Sequence, residues 1–273
     1  MVDKISLVDL LKILLVAIIS ALFLRTFVVE IYYIPSASME KTLLAGDVIL
    51  VNKLAYGIHI PVLSPILNYD NERKSSIFLP PICKRVNRGD VIVFRMSERY
   101  SPEPSVCVKR CIGIPGDTIM MHCNRVYVNS RVYTKTGDKP RNSSYELPPF
   151  TDQQSKIVIP GKGDIVRIDT KSIGRWHELI KKEGHKVECI DNKLYIDGKH
   201  TSTFQFKQNY YFVMGDNVEN SCDSRHWGLV AEDQILGEAI LVLWSWNEKK
   251  LSEESVNKGL STIRLDRLGR IIF

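Results

Sequence analysis

The chain has 273 residues and 44% hydrophobic content, enough for a sizeable core in one large or two modest domains. Its formal net charge of +6 is mild. The basic residues are scattered, which fits an anionic membrane surface and argues against a nucleic-acid partner, since no RNA-binding aromatic motif or zinc-finger spacing accompanies them. The six cysteines, Cys83, Cys107, Cys111, Cys123, Cys189 and Cys222, include no C-x-x-C pair. That argues against a zinc ribbon or a thioredoxin-like site, and leaves free thiols and one or two disulfides both open.

The first predicted element is a membrane span. Ile13 to Leu24 carries no charge, but its 12 residues make a helix of only about 18 Å, against about 30 Å for a bilayer core. Extension to Leu10 through Val29 gives 20 residues and about 30 Å. Lys12 and Arg25 then lie near the two ends, where long cationic side chains reach the headgroups, and Phe27, Tyr32 and Tyr33 fall at the interface. No small-x-small cleavage site follows Ala21, so the segment predicts a retained anchor rather than a removed signal. Lys4, Lys12 and the free amine precede the span, against Arg25 and Lys41 soon after it. The positive-inside rule then favours a cytoplasmic N-terminus, with the bulk of the chain outside.

Past the span the pattern turns to β. Four runs share one form: Gly46-Asp47-Val48-Ile49, Gly89-Asp90-Val91-Ile92, Gly116-Asp117-Thr118-Ile119 and Gly163-Asp164-Ile165-Val166. Gly-Asp is turn chemistry and the β-branched residues after it favour a strand. The spacings of 43, 27 and 47 residues are too irregular for a repeat. Further strands are predicted at Arg125 to Val128, Lys193 to Ile196, Tyr210 to Met214 and Ala239 to Trp244, and a helix at Ser172 to Lys182. Residues 56–85 read as a loop-rich excursion with Pro61, Pro65, Pro80 and Pro81, and residues 129–164 as a polar stretch. The expected class is mostly β: an antiparallel catalytic core with an inserted second β-rich domain, preceded by a single transmembrane helix. The expected divisions are 1–29 (cytoplasmic stub and anchor), 30–120 (core, first part), 121–209 (insertion), 210–247 (core, second part) and 248–273 (a charged tail, expected to be peripheral).

Chemistry concentrates in three stretches: Ile34-Pro35-Ser36-Ala37-Ser38-Met39, Lys109 to Asp117, and Gly215 to Arg225. Alone, each has a bland reading: turn serines after a proline, a solvated basic pair, a surface ion pair. Together they resemble the bacterial type I signal peptidases. That family's nucleophile pattern is Ser-x-Ser-Met-x-Pro-Thr-Leu, followed by Gly-Asp and a strand. This chain has Ser36-Ala37-Ser38-Met39-Glu40-Lys41-Thr42-Leu43, then Gly46-Asp47. The family's Arg-Gly-Asp-Val/Ile-x-Val-Phe matches Arg88 to Phe94, its Lys-Arg-x-x-Gly-x-Pro-Gly-Asp matches Lys109 to Asp117, and its Gly-Asp-Asn-x-x-x-Ser-x-Asp-Ser-Arg-x-x-Gly matches Gly215 to Gly228. The motifs cover well under half the chain, and the 121–209 insertion is matched by position only. Lys41 departs from the pattern: the family usually has proline there, which would stiffen the turn by fixing φ.

The resemblance implies a serine endopeptidase with a Ser/Lys dyad, removing N-terminal signal peptides from exported preproteins. Ser38 is the expected nucleophile and Lys109 the general base. The Ser38 amide and the Ser36 hydroxyl are the expected oxyanion hole, Ser221 is expected to orient the Lys109 amine, and Asp223 and Arg225 are expected to form a supporting ion pair. A lysine base must be neutral, and burial lowers a lysine pKa; Val106, Val108, Ile112 and Ile114 are the apolar sequence neighbours that suggest burial. Ile31, Ile34 and Met39 are candidate pocket walls, with membrane contact or core as their bland reading. His226 is a rival base, though its neighbour Trp227 suggests packing. No cofactor is implied, and no H-E-x-x-H pattern offers metal ligands. The expected partners are signal peptides with small residues at the first and third positions before the cut, and membrane lipid. The expected location is the inner (plasma) membrane with the catalytic part on the extracytoplasmic side. The rival readings are a pilin-maturation or self-cleaving Ser/Lys protease and an inactive anchored peptide-binding scaffold.

Overall fold

The structure, a computed structural model, describes residues 6–61, 76–79, 84–96, 105–122, 125–133, 156–191, 193–247 and 262–273. Cys83, Cys123, Pro65, Pro80, Pro81, most of the polar 129–164 stretch and the first part of the tail lie outside the described residues. The chain forms two compact units. One comprises Met1–Arg85, Val91–Val93 and Leu236–Phe273; the other comprises Val86–Asp90 and Phe94–Ile235.

The first unit begins with the helix Leu7–Phe23, capped by Ser6, whose side chain accepts from the Val8 N–H at 3.3 Å. A π-helical turn, Leu24–Val28, continues it. Among the described residues Leu7–Val28 is the one helix long and apolar enough to cross a membrane, and none of its residues is buried. It begins three residues before the expected Leu10, because Ser6 supplies an N-cap, and ends one residue before Val29, where the chain becomes extended. Val29–Tyr33 pairs antiparallel with Asp47–Asn52, which pairs antiparallel with Ile235–Ser245. Within Asp47–Asn52 every second residue (Asp47, Ile49, Val51) is buried, the alternation of a strand with one face on a core. Ile58–Pro61 and Ser76–Leu79 form a hairpin-like pair inside the region expected to be loop. The C-terminal residues also differ from expectation. Residues 262–273 run beside Ile235–Ser245, with Val242 N–H donating to Arg270 O and Gly269 N–H to Val242 O, both at 2.9 Å. Thr262, Arg267 and Ile272 are buried, so this part of the charged tail is integral rather than peripheral.

The second unit is also β-rich. Val106–Gly113 pairs antiparallel with Tyr210–Met214, which pairs with Val230–Ala231. A second sheet holds Lys156–Val158, Thr118–His122, Arg125–Val128 and Arg131–Val132. Ile165–Arg167 pairs with Thr203–Gln205, and Val187–Ile190 with Lys193–Ile196. The helix Ile173–Lys182 buries Trp176, Leu179 and Ile180, an i, i+3, i+4 stripe, in a cluster with Phe204, Phe206, Tyr210 and Phe212. Each such side chain contributes roughly 1.5–3 kcal/mol of burial free energy. The strands expected at Arg125–Val128, Lys193–Ile196 and Tyr210–Met214 have those bounds, and the one expected at Ala239–Trp244 lies within Ile235–Ser245.

The four Gly-Asp runs are one device used four times. The glycine is third in a four-residue turn, at φ of 93°, 98°, 87° and 92° for Gly46, Gly89, Gly116 and Gly163. The aspartate N–H donates to the carbonyl three residues back in each case: Leu44, Asn87, Ile114 and Gly161. The aspartate carboxylate accepts from the N–H of that same residue, at 2.8, 2.9, 2.9 and 2.7 Å. Two hydrogen bonds close each turn, and a strand follows within three residues. Substitution separates two roles of glycine here. A Cβ at Gly89 meets nothing within 4 Å, so Gly89→Ala should cost only the φ penalty, about 1–2 kcal/mol. A Cβ at Gly237 would lie 2.4 Å from Asn52 O and 2.8 Å from Val51 Cγ1. Gly237→Ala must therefore move backbone, and thermal unfolding should show the larger loss for Gly237→Ala; the reverse order would refute this division.

Candidate active site

Ser36 and Ser38 sit on the turn that leaves the strand Val29–Tyr33. Ser36 is extended (φ −127°, ψ 156°) and precedes a single 3-10 turn, Ala37–Met39. The turn is closed by Glu40 N–H to Ala37 O at 3.0 Å and by Leu43 N–H to Met39 O at 2.8 Å. Met39 and Leu43 are fully buried and fix the turn to the core, while Ser36 is exposed and Ser38 half-buried. The two hydroxyls are 3.2 Å apart, within hydrogen-bond distance, so Ser36 can donate to Ser38 Oγ. Of the candidate pocket residues, Ile34 and Met39 are core, the bland alternative, and Ile31 is exposed.

Lys109 lies in the strand Val106–Gly113 and is 5% exposed, which is unusual for a lysine. Burial pulls its pKa below the ordinary lysine value, and the negative charge of Asp223 and Asp216 partly opposes this. Of the sequence neighbours that suggested this burial, Ile112 is itself buried, Val108 and Ile114 are half-buried and Val106 is exposed. Strand geometry puts Cys107 and Cys111 on the Lys109 face and brings Tyr210–Met214 alongside. Cys107, Cys111, Cys189 and Cys222 carry free thiols. Burial raises the Cys107 pKa, which keeps that thiol neutral beside the lysine.

The second and third stretches meet. Arg110 is bidentate to Asp216 (Nε to Oδ1 2.8 Å, Nη2 to Oδ2 2.7 Å), and both side chains are buried. Its Nη1 donates to Gly89 O at 2.6 Å, so one guanidinium joins the Arg-Gly-Asp, Lys-Arg and Gly-Asp-Asn motifs. Sequence reasoning assigned no role to Arg110 or Asp216; their places inside two motifs were the available signal. Arg88 similarly pairs with Asp117.

Asp223 caps the short helix Ser224–Trp227. It is fully buried and accepts from Arg225 Nε at 2.8 Å, Arg225 Nη2 at 2.9 Å and Gly215 N–H at 3.1 Å. Burial alone would raise its pKa, but these hydrogen bonds hold it below the usual carboxylate value. The expected Asp223–Arg225 pair is thus present. Arg225 Nη2 also donates to Val218 O at 2.7 Å, pinning the loop that carries Ser221. The Ser221 hydroxyl is buried near Asp223, close enough to favour its charged form, yet it has no hydrogen bond of acceptable geometry. The His226 ring is largely exposed, and its Nδ1 accepts from the Asp223 N–H at 3.2 Å, so it caps rather than packs. Among the described residues no cluster of three or more His, Cys, Asp or Glu side chains could hold a metal.

The family model described as signal peptidase, peptidase S26, matches residues 7–162 and 201–244. A signal peptidase I of Aquifex aeolicus is 31% identical over 258 residues, covering 89% of this chain and 87% of that protein. One from Pseudomonas aeruginosa is 34% identical over 245 residues, covering 85% and 70% respectively. One from Buchnera aphidicola subsp. Schizaphis graminum is 30% identical over 275 residues, covering 91% and 76%.

Lys41 has a φ of 89°, a left-handed conformation in which proline cannot sit. The idea that proline would stiffen this turn therefore fails for the backbone seen here, and glycine is the residue it favours. Lys41→Gly should raise stability by roughly 0.5–1 kcal/mol, and Lys41→Pro should lower it by more. Denaturant midpoints of the two variants check this; a more stable Lys41→Pro would mean that the turn has another conformation.

Proposed function

The chain belongs to the signal peptidase, peptidase S26, family, and from that premise we propose that it is a membrane-anchored serine endopeptidase that removes signal peptides from exported preproteins. The observation that carries the reading is a lysine held 5% exposed with a lowered pKa in the Lys-Arg motif, in a chain whose Ser-x-Ser-Met turn presents two hydroxyls 3.2 Å apart. In this reading Ser38 Oγ attacks the scissile carbonyl and Lys109 Nζ accepts its proton. The Ser38 N–H and the Ser36 hydroxyl donate to the oxyanion that forms. The protonated amine then delivers its proton to the leaving amine, and water attacks the acyl-enzyme with Lys109 again as base. The partnerless Ser221 hydroxyl suits a role in aiming the amine, and the Asp223–Arg225 pair supports that loop.

The substrate would add as a strand, with small residues at the first and third positions before the cut. Val29–Tyr33 is the terminal strand in its sheet order, leaving one backbone edge next to the serine turn for such an addition. The helix Leu7–Val28 would anchor the chain in the plasma membrane with the rest on the extracytoplasmic side, where exported proteins emerge.

Purified protein incubated with a preprotein should release a product whose N-terminus, read by mass spectrometry, follows a small residue. Ser38→Ala should abolish this. Ser36→Ala should slow it by about 10²–10³-fold, the loss typical of one oxyanion donor. Equal and complete loss in two folded variants would show the roles to be misassigned.

The lysine gives a pH test. Only the neutral amine accepts a proton, so kcat/KM should rise with pH through a pKa below the ordinary lysine value. Lys109→Arg should be inactive at every pH, because guanidinium keeps its proton. The same shift has a stability sign. A folded-state pKa below the unfolded one means that protonation favours unfolding, so the lysine destabilises the fold at pH below its folded pKa, and the cost fades as pH rises through the unfolded pKa. Lys109→Met should therefore be inactive yet more stable than the parent at neutral pH. A less stable Lys109→Met would show that the amine is held as a favourable ion.

A further inference from the structure

Asp47 occupies an inward position of its strand and is fully buried beside Ile49 and Val51. A carboxylate there is costly unless a cation and hydrogen bonds answer it. Arg267, 220 residues away and itself buried, does so with two bonds: Nε to Oδ1 at 2.9 Å and Nη2 to Oδ2 at 2.5 Å. Ser245 Oγ donates to Oδ1 at 2.6 Å, and Leu44 N–H donates to Oδ2 at 2.8 Å.

The arginine also reaches the turn itself. Its Nη2 donates to Thr42 O at 3.0 Å. Arg264, three residues earlier, donates through Nη1 to Ala45 O at 2.9 Å and to Ser245 Oγ at 3.2 Å. Two arginines of the C-terminal segment therefore hold backbone carbonyls at residues 42 and 45 and the side chain at residue 47. Backbone bonds carry this hold to the serine: Thr42 and Leu43 N–H both donate to Met39 O, at 3.0 and 2.8 Å. The loop is closed at its base by Ile34 N–H to Asp47 O at 2.8 Å and Gly46 N–H to Ile34 O at 2.9 Å. Residues 34–47 thus form a closed loop, with Ser38 on one limb and the arginine contacts on the other.

We infer that Arg267, assisted by Arg264, is a positioning residue for Ser38, and that the C-terminal segment is the brace of the loop that presents the nucleophile. The inference rests on reading Ser38 as the nucleophile. It goes beyond the family assignment, because the family match ends at residue 244. Misplacement of a reacting group by about 1 Å costs on the order of 10²-fold in rate. The loss falls on kcat rather than KM, since placement of the hydroxyl matters in the transition state and not for holding the peptide.

The test uses the full chain in detergent micelles, with Arg267→Met, Arg267→Lys and Arg264→Met. Three readouts are taken: kcat and KM on a signal-peptide substrate, thermal unfolding, and amide hydrogen exchange. Arg267→Met should lower kcat by roughly 10–10²-fold with KM little changed, and speed exchange in peptides covering residues 38–47 while the helix 173–182 exchanges as before. Arg267→Lys should recover part of the rate, because an ammonium can meet Asp47 but lacks the fork that also reaches Thr42 O. Arg264→Met should have the smaller effect of the same kind. If Arg267→Met does not fold, the double variant Asp47→Asn/Arg267→Met, which leaves no orphan charge, takes its place. A folded variant with parental kcat and parental exchange at 38–47 overturns the brace. So does a loss of rate that only tracks global unfolding, with exchange raised everywhere. If the parent chain fails to cleave, or Ser38→Ala still cleaves, the catalytic reading fails; local loosening at 38–47 would still uphold the brace.

Discussion

A buried carboxylate has to be answered, and four of those among the described residues are answered by arginine. Asp47 meets Arg267, Asp216 meets Arg110, Asp223 meets Arg225 and Asp117 meets Arg88. Asp47, Asp117 and Asp223 also accept a hydrogen bond from at least one other group. A planar fork can satisfy two carboxylate oxygens at once and still donate elsewhere, as Arg110 does to Gly89 O and Arg267 to Thr42 O. The pairs are weak evidence of net stability, because desolvation offsets much of their attraction. What they do is locate: three of them tie a motif or loop to an element distant in sequence, and the fourth, Asp223–Arg225, fixes one loop locally.

Against that background Lys109 differs in kind from the residue beside it. Burial lowers the pKa of both Lys109 and Arg110. For Arg110 burial is the largest single effect, but the hydrogen bonds and charge of Asp216, with the other negative groups nearby, together more than offset it and the net shift is upward. For Lys109 the surrounding negative groups do not offset burial and the net shift is downward. Two adjacent cations on opposite faces of one strand are therefore driven in opposite directions. One is locked as a permanent ion, and the other is brought nearer to the neutral state that a base requires.

How much of this was legible in the sequence follows from how local each interaction is. The four Gly-Asp turns were readable because both hydrogen bonds of each fall within four residues. The helix Ile173–Lys182 was readable because its apolar stripe has helical spacing. The Ser, Lys-Arg and Gly-Asp-Asn stretches were readable as a resemblance, and the Asp223–Arg225 pair with them. Lys109 was expected to be buried from its apolar neighbours, of which Ile112 is buried and the others are at least partly exposed; the residues on its own face are two apart, and a strand about a hundred residues on runs alongside. Arg267 was not readable at all. Nothing local distinguishes it among 37 lysines and arginines, and its segment looked like a solvated tail. Asp47 gave half of a signal, since the alternation of its strand puts an acid on the buried face, but an acid that needs a cation does not say which cation.

Among the described residues, three buried polar side-chain atoms lack a hydrogen-bond partner, and two of them fall in one short stretch, the third being Trp244 Nε1 in the strand Ile235–Ser245. One of the two is the Ser221 hydroxyl. Trp227, which contributes another, lies in the same short stretch as Asp223 and packs on Phe94 at 5.7 Å between ring centroids. A buried hydroxyl without a partner costs roughly 1–3 kcal/mol, and a change to alanine at position 221 would remove that cost. A buried lysine with a depressed pKa is likewise less stabilising than a well-packed apolar residue of its size. Stability alone would select against both groups. Both lie in the Lys-Arg and Gly-Asp-Asn stretches, and buried groups whose cost is not repaid in stability cluster at functional sites.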